Sequence, residues 1–362
     1  MKKIQIALVS KETLPVFYLI NELRPDEVFL IGTLQTAREM DIIESISKKI
    51  GIPCHKLTTK ADDVQDCMQR CEKVHLINGD DCDYCYNLTC GTKLMAFGAM
   101  ICSQRHHARA VYAGTDSYIY LSDFEKHSFS HLLDTETIIS LQGQKVKGKT
   151  LYHYDADRTA CANEIRNFIE NHIRSYGILM KQFLQYQQLP NPFESGKLRY
   201  YRRNGRLTVE YDDVEVFSSD YPGVFTMLFE GRWWETQVAD AIAKWAGKDK
   251  EIWTGVRFEP NDKMKGNDKN EIDVLVNIGN ALLFVECKSG SFSQDNIYKL
   301  SSVFKTYGSY KSKGVIVSYR NNAIKPDFVE KARDERVDLI APSRGMGDLP
   351  KELDIIVKSL KS

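Results

Sequence analysis

Short apolar runs alternate with amphipathic stretches along the first part of the chain. Residues 4–9 are apolar apart from Gln5, 13–23 space their apolar positions at the helical period, and 27–33 are apolar again. That order predicts a strand–helix–strand unit and therefore a parallel sheet. The alternation continues with an amphipathic segment at 36–49 stopped by Gly51-Ile52-Pro53, a strand at 54–58, a helix near 60–72 and a strand over 81–86. A strand-like run at 109–114 and a polar stretch through Ser140 follow. One long helical pattern then extends from about Asp157 to Gln188, with Ile165, Phe168, Ile169, Ile173, Ile178 and Leu179 among its apolar positions. Leu189-Pro190 to Gly196 breaks it. Beyond the break, 198–203 and 206–211 flank Asn204-Gly205, which predicts a hairpin on a type I′ turn.

Farther on, a helix opens near Phe229 and carries Trp234, Val238, Ala241, Ile242 and Trp245 as apolar positions. Two apolar runs, 271–278 and 281–288, surround Gly279-Asn280. A helix over 295–307, a strand at 313–318, a helix at 326–335, a strand at 337–341 and a terminal helix complete the pattern. The expected fold class is α/β, divided at 1–155, a helical connector at 156–196, and 197–362.

Composition changes this picture little. A chain of 362 residues, 43% apolar, is long for a single core, so two domains are the default. Lys+Arg and Asp+Glu both total 49, leaving no global basic field, so any contact with nucleic acid must come from local patches. The start, Met1 to Ser10, mimics the basic head of an export signal, but Gln5 breaks its apolar run and Lys11-Glu12 ends it, so it reads as a first strand. No apolar run is long enough to span a bilayer. A cytoplasmic protein with reduced thiols and no membrane contact is expected. Cys67 with Cys71 and Cys82 with Cys85 have spacings that could hold zinc, yet Cys82 and Cys85 point to opposite sides of a strand. His106-His107 read as surface residues at a helix end.

The hairpin at 271–290 carries charge where apolar strands normally avoid it. If Gly279-Asn280 is a two-residue loop, residue 278 pairs with 281 and the ladder sets Asp273 opposite Glu286. The period of two places Phe284, Glu286 and Lys288 on one face and Leu283, Val285 and Cys287 on the other. Asp273, Glu286 and the backbone carbonyl of Cys287 offer hard oxygen ligands to Mg2+ or Mn2+. Lys288 beside them can orient or help deprotonate a water and offset charge on a phosphorane-like transition state. The plainer reading is a hairpin with a cross-strand ion pair, Glu271 opposite Lys288. Glu235 has Val238, Ala239 and Ile242 as helical neighbours, so its carboxylate lies beside a buried face and needs a partner or a metal.

Two other stretches carry candidate chemistry. Asn87-Leu-Thr-Cys-Gly-Thr-Lys-Leu-Met95 ends a strand and opens a helix, offering backbone N–H groups, a helix N-terminus and Lys93 to an anion. Ser10, Thr33 and Thr36 also fall at the carboxyl ends of strands, where open α/β sheets bind ligands. A phosphate-bearing ligand suits this edge; a plain tight turn at Gly91-Thr92 is the alternative. In the second stretch, Lys197, Arg199, Arg202, Arg203 and Arg206 interleave with Tyr200 and Tyr201, which suits a single-stranded nucleic-acid path or simply a solvated hairpin.

Residues 87–95 resemble the Asn-x-Thr-Gly-Gly-Thr-Lys-x-Met signature of CARF domains, the CRISPR-associated Rossmann-like sensors of cyclic oligoadenylates, with Cys90 in place of the first glycine. Asp273 followed by Glu286-x-Lys288 resembles the core of PD-(D/E)xK nucleases, with Ile272 where a proline often stands. Gly231-Arg-Trp-Trp-Glu235 resembles the Gly-x-Trp-x-Glu helix of CARF-linked members, and Gln294-x3-Tyr298 the accessory motif of RecB-like nucleases.

The resemblance implies a CARF domain joined to a restriction-endonuclease-like domain, dimerising through the sensor and binding one cyclic ligand across the two-fold axis. It implies Ser10, Thr33, Thr36, Asn87, Thr89, Gly91, Thr92 and Lys93 as ligand contacts. Glu235, Asp273, Glu286 and Lys288 would be catalytic, with Glu235, Asp273, Glu286 and the Cys287 carbonyl on the metal, and Arg199, Arg202, Arg203, Gln294, Tyr298 and Lys299 on nucleic acid. The activity expected is cleavage of DNA, RNA or both, preferably single-stranded, activated by cyclic tetra-adenylate in type III CRISPR defence. The rivals are a ligand-binding regulator with an inactive nuclease-like domain and a constitutive repair or restriction nuclease.

Overall fold

Strand β1 (Lys2–Leu8) is buried at every position from Ile4 onward, including Gln5, as a central parallel strand covered on both faces must be. In the computed structural model, which describes residues 1–114, 116–248, 250–259, 271–342 and 346–361, β1 lies inside a seven-stranded sheet. It alternates with α1 (Leu14–Leu23), β2 (Glu27–Gly32), α2 (Ala37–Lys49), β3 (Cys54–Thr58), α3 (Val64–Asn78), β4 (Cys82–Asn87), α4 (Lys93–Arg105) and β5 (Arg109–Ala113). The helix expected near residue 60 begins at Val64 because the Asp63 carboxylate caps it, accepting from the Asp66 amide at 3.0 Å. The polar stretch that follows holds β6 (Ser117–Tyr120), β7 (Lys126–Ser128) and α5 (Thr135–Leu141). Strand order is β3-β2-β1-β4-β5-β6-β7, with β6 and β7 antiparallel. The order reverses at β1, so the carboxyl ends of β1 and β4 open a crevice there.

The next strand, β8 (Val146–Leu151), precedes the expected division at 155 yet pairs with the second sheet, as its edge strand. Its charged composition hid it. The long helical pattern then splits at His172, whose φ −130 and ψ 44 are not helical, into α6 (Ala156–Asn171) and α7 (Ile173–Tyr186). A four-stranded antiparallel sheet follows, formed by β9 (Phe193–Ser195), β10 (Leu198–Arg203), β11 (Arg206–Tyr211) and β12 (Val214–Ser219). Asn204 and Gly205 both have positive φ between β10 and β11, as the type I′ turn requires.

Helices α8 (Val224–Phe229) and α9 (Arg232–Ala246) lead into β13 (Ile252–Phe258), β14 (Glu271–Asn277) and β15 (Leu282–Lys288). Then come α10 (Gln294–Tyr307), β16 (Lys313–Ser318), α11 (Pro326–Asp334), β17 (Val337–Ile340) and α12 (Leu349–Lys361). The six-stranded sheet runs β17-β16-β15-β14-β13-β8. β14 and β15 pair Val274 with Val285 and Asn277 with Leu282, and the Ile278 amide donates to the Ala281 carbonyl at 3.0 Å. The register is the expected one, and continuing it one step sets Asp273 against Glu286. α6 is no mere connector: Thr159 donates to Asp240 of α9 at 2.6 Å, as does Tyr152 at 2.8 Å.

One apolar cluster crosses between the two large sheets, joining Ala7, Val9 and Tyr18 to Phe258, Ile272, Phe284 and Tyr307. Asn277 reinforces that junction by donating to the Leu133 carbonyl at 2.8 Å. Among the described residues no helix is long and apolar enough to cross a membrane. α10 lies so close on β16 that a Cβ at Gly314 would meet Leu300 Cγ at 2.8 Å and Phe304 Cδ1 at 2.9 Å. Gly314→Ala should therefore destabilise the protein by about 1–3 kcal/mol. A melting temperature equal to the wild type's would contradict this packing.

Candidate active site and ligand crevice

β15 is a central strand with β14 on one side and β16 on the other, and its residues from Leu282 to Cys287 are all buried. Leu282 and Phe284 enter the cluster shared with the first sheet, while Leu283, Val285 and Cys287 face α9. The charged end of the hairpin is tightly organised. Asp273 Oδ2 accepts from the Cys287 amide at 2.6 Å, and Lys288 Nζ donates to Glu286 Oε1 at 2.6 Å. Glu235 reaches this end from the first turn of α9. Gly231 makes that approach possible: its φ is +83, and a Cβ there would stand 2.7 Å from Ser289 Oγ. Trp234 pins the helix by donating from its indole to the Val317 carbonyl at 2.9 Å.

Electrostatics follow from burial and crowding. Burial pushes Glu235 up to about 7; Arg232 opposes the shift, and Glu271 and Glu286 add to it. Burial also holds Asp273 well above the usual carboxylate range, helped by Glu286 and Glu235 and opposed by the Cys287 amide. For Lys288 burial acts downward, but the Glu286 carboxylate together with Asp273 draws the pKa above its ordinary value.

These residues fit a hard divalent cation, because crowded carboxylates share one ammonium and a cation would relieve their repulsion. Among the described residues no three carboxylate, imidazole or thiol groups gather as a ready-made metal cage. Two carboxylates, a backbone carbonyl and several waters nevertheless match the habit of Mg2+, which keeps much of its hydration.

A cleft of about 600 Å³ opens beside the carboxylates, lined by Glu235, Glu271 and Asp273 and by Arg158, Tyr221 and Arg232. Arg158 and Tyr221 were not singled out by sequence. The helix carrying Arg158 reads as a solvated connector, and nothing local ties it to residues more than seventy positions away.

At the crevice between β1 and β4 most of the named hydroxyls and amides are used internally. Asn87 is fully buried; its Oδ1 accepts from the Thr89 amide at 3.1 Å and hydroxyl at 2.6 Å. Thr89 Oγ1 also accepts from the Ala113 amide at 2.7 Å. Thr36 Oγ1 binds back to Thr33. Thr92 caps α4, accepting from the Met95 amide and donating to the Ala61 carbonyl. Gly91, with φ +81, takes the left-handed position of the turn, so Cys90 can replace a glycine beside it. Ser10 is half-buried and Lys93 exposed.

The basic hairpin differs from a stacking platform. Tyr200 is fully buried, so it cannot receive a base, and Arg199 is paired with Glu194 at 3.0 Å and Glu210 at 3.4 Å. Arg202 lies over Phe225 and Arg203 over Tyr201. Gln294 bonds Asp327 at 3.3 Å, Tyr298 sits under Lys331 of α11, and Lys299 is exposed. His106 is also not the plain surface residue expected. It bonds Glu72 at 2.7 Å and stacks on His75 at 3.6 Å.

Residues 4–142 match the family model of the Card1 CARF domain, and residues 225–357 that of the Card1-like endonuclease domain. The chain is similar to the structure of Can2 from Sulfobacillus thermosulfidooxidans in complex with cyclic tetra-adenylate, at 17% identity and TM-score 0.74 over 99% of each chain. It is similar to protein VC1899 from Vibrio cholerae, at 14% and 0.75 over 99% of this chain and 98% of that one. A type III CRISPR defence DNA nuclease activated by cyclic oligoadenylate matches at 17% and 0.61, over 99% of this chain and 52% of that one. At these identities the likeness concerns the fold. No curated protein sequence matches the chain.

The shifted carboxylates set a pH dependence. Glu235 has a folded pKa above its unfolded value, so its contribution to stability is complete below about 4.5 and is lost as pH rises through about 7. In metal-free protein Glu235→Gln should flatten the fall in melting temperature between roughly pH 5 and pH 8, a difference on the order of 2 kcal/mol at the upper end. Added Mn2+ should stabilise the wild type most at the higher pH and Asp273→Asn hardly at all. Parallel pH curves for wild type and Glu235→Gln would contradict the assignment.

Proposed function

Because this chain belongs to the Card1-type CARF-domain nucleases, we propose that cyclic tetra-adenylate at the β1–β4 crevice activates metal-dependent cleavage of single-stranded DNA or RNA in type III CRISPR defence in the cytoplasm. The observation that carries the reading is the charged end of the β14–β15 hairpin, where Asp273 accepts from the Cys287 amide and Lys288 bonds Glu286. Asp273, Glu286 and the Cys287 carbonyl would hold Mg2+ or Mn2+. The chemistry supplied there by the ion is Lewis-acid polarisation of the phosphate and a more acidic water. Lys288 offsets negative charge as it grows on the phosphate oxygens. Glu235, reaching the same end from α9, would add a third carboxylate toward the ion, with burial and its acidic neighbours favouring its protonated form while the ion is away. Arg158 and Arg232 on the cleft wall suit the backbone phosphates of the substrate. The intact acid–lysine set disfavours a regulator without activity.

At the crevice, internal bonding of the hydroxyls leaves backbone groups, Ser10 and Lys93 to face an anion. Homodimerisation is supported by α4, where Leu94, Phe97 and Ile101 form an exposed apolar stripe directly after Lys93. Isologous packing of that stripe would bring two Lys93 side chains toward one cyclic ligand.

Labelled single- and double-stranded DNA and RNA, incubated with Mn2+ and with or without cyclic tetra-adenylate, test the reading. Glu286→Ala and Lys288→Ala should each lower cleavage by roughly a hundredfold or more while leaving cyclic tetra-adenylate binding unchanged. Lys93→Ala should raise the activator concentration needed by roughly tenfold without altering the maximal rate. Wild-type cleavage by Glu286→Ala would overturn the assigned site.

A further inference from the structure

The turn of the catalytic hairpin rests on the sensor domain through Asn280, and a tyrosine holds it there. Tyr18 of α1 is 2% exposed, and its hydroxyl donates to the Asn280 carbonyl at 2.9 Å. Asn280 is 5% exposed. Burial keeps the phenol far above its ordinary pKa, so it stays a donor. Its ring is held by Phe129, 5.4 Å away.

The other end of α1 is tied to the ligand crevice. Cys90 Sγ donates to the Glu12 carbonyl at 3.4 Å, and Asn87 Nδ2 donates to the Pro15 carbonyl at 3.5 Å. Ser10 stands in the segment joining β1 to α1, with its hydroxyl accepting from the Glu12 amide at 3.2 Å. The crevice loop therefore grips the first turn of α1, and Tyr18 lies about one helical turn beyond Pro15. From Asn280 the chain enters β15 and reaches Glu286 after roughly 20 Å of strand. That strand is buried throughout and paired on both sides, so it moves as a unit rather than bending.

We propose that Tyr18 is a positioning residue of the nuclease: through its bond to the Asn280 carbonyl, the placement of α1 sets the placement of Glu286 and Lys288. The inference rests on the reading that a ligand in the β1–β4 crevice controls cleavage. A ligand that prefers one placement of the α1 N-terminus biases the hairpin by that difference in affinity and by no more. The coupling is contiguous in hydrogen bonds and backbone, which makes it open to a single-atom deletion.

Tyr18→Phe removes the hydroxyl and keeps the ring, and Ser309 Oγ, 3.3 Å from the same carbonyl, still satisfies it. The full-length variant is compared with wild type for cleavage of single-stranded DNA and RNA in Mn2+, with and without cyclic tetra-adenylate. The ratio of activated to basal cleavage should fall by roughly tenfold in Tyr18→Phe, with activator affinity held within about twofold. Ser309→Ala, which removes a bond to the same carbonyl from within the nuclease half, should keep the wild-type ratio. Hydrogen exchange adds a readout independent of activity: in wild type, cyclic tetra-adenylate should change protection of the 277–288 amides, and in Tyr18→Phe this change should vanish. An unchanged ratio in Tyr18→Phe, or wild-type exchange at 277–288 indifferent to the activator, overturns the role of Tyr18 while leaving activation intact. Wild-type cleavage indifferent to cyclic tetra-adenylate overturns the activation reading and this inference with it.

Discussion

Carboxylates crowded at one end of an apolar hairpin are the constraint around which the nuclease half is built. Asp273 and Glu235 are both held above their ordinary pKa by burial and by neighbouring acids, and Lys288 is already engaged with Glu286. Such an arrangement costs stability unless a cation or proton relieves it. The surroundings keep it from relaxing. β16 covers one edge of β15, Gly231 lets α9 approach Ser289, and Trp234 locks that helix to the Val317 carbonyl. What looks like poor design for folding is suitable design for holding a hard metal ion and a phosphate.

The opposite end of the same hairpin answers to different needs. Asn277 and Asn280 are buried and bonded to Leu133 and to Tyr18 of α1, and one apolar cluster continues from β1 and α1 through β14 and β15. Two sheets that share a core do not move freely as beads on a linker. A change at the crevice has in that shared core a continuous packed route to the hairpin. The crevice itself is built so that Asn87, Thr89, Thr36 and Thr92 shape the backbone, and the exposed polar groups left for a ligand are few.

The sequence was most legible where chemistry and periodicity coincide. Gly279-Asn280 set a register that a one-residue slip would have destroyed, and the period of two then sorted Glu286 from Cys287. Asn204-Gly205 and the strand–helix alternation of the first sheet were readable for the same reason: local turn chemistry and pattern agree. β8 was hidden because an edge strand tolerates lysines, and its partner β13 lies a hundred positions away. The break at His172 was hidden because α6 and α7 bury their apolar faces in the same cluster, so the periodicity does not lapse. Tyr200 looked like a stacking ring until the fold buried it. Arg158 and the contact between Tyr18 and Asn280 depend on tertiary placement, which no local pattern encodes.

The central claim is that occupancy of the sensor crevice alters the carboxylate cluster. Calorimetric titration of wild-type protein with Mn2+, in the absence of nucleic acid and with or without saturating cyclic tetra-adenylate, addresses it most directly. Activator-bound protein should bind Mn2+ more tightly by about 5- to 100-fold, the range of ordinary allosteric coupling. Equal Mn2+ affinity in both conditions would contradict the account.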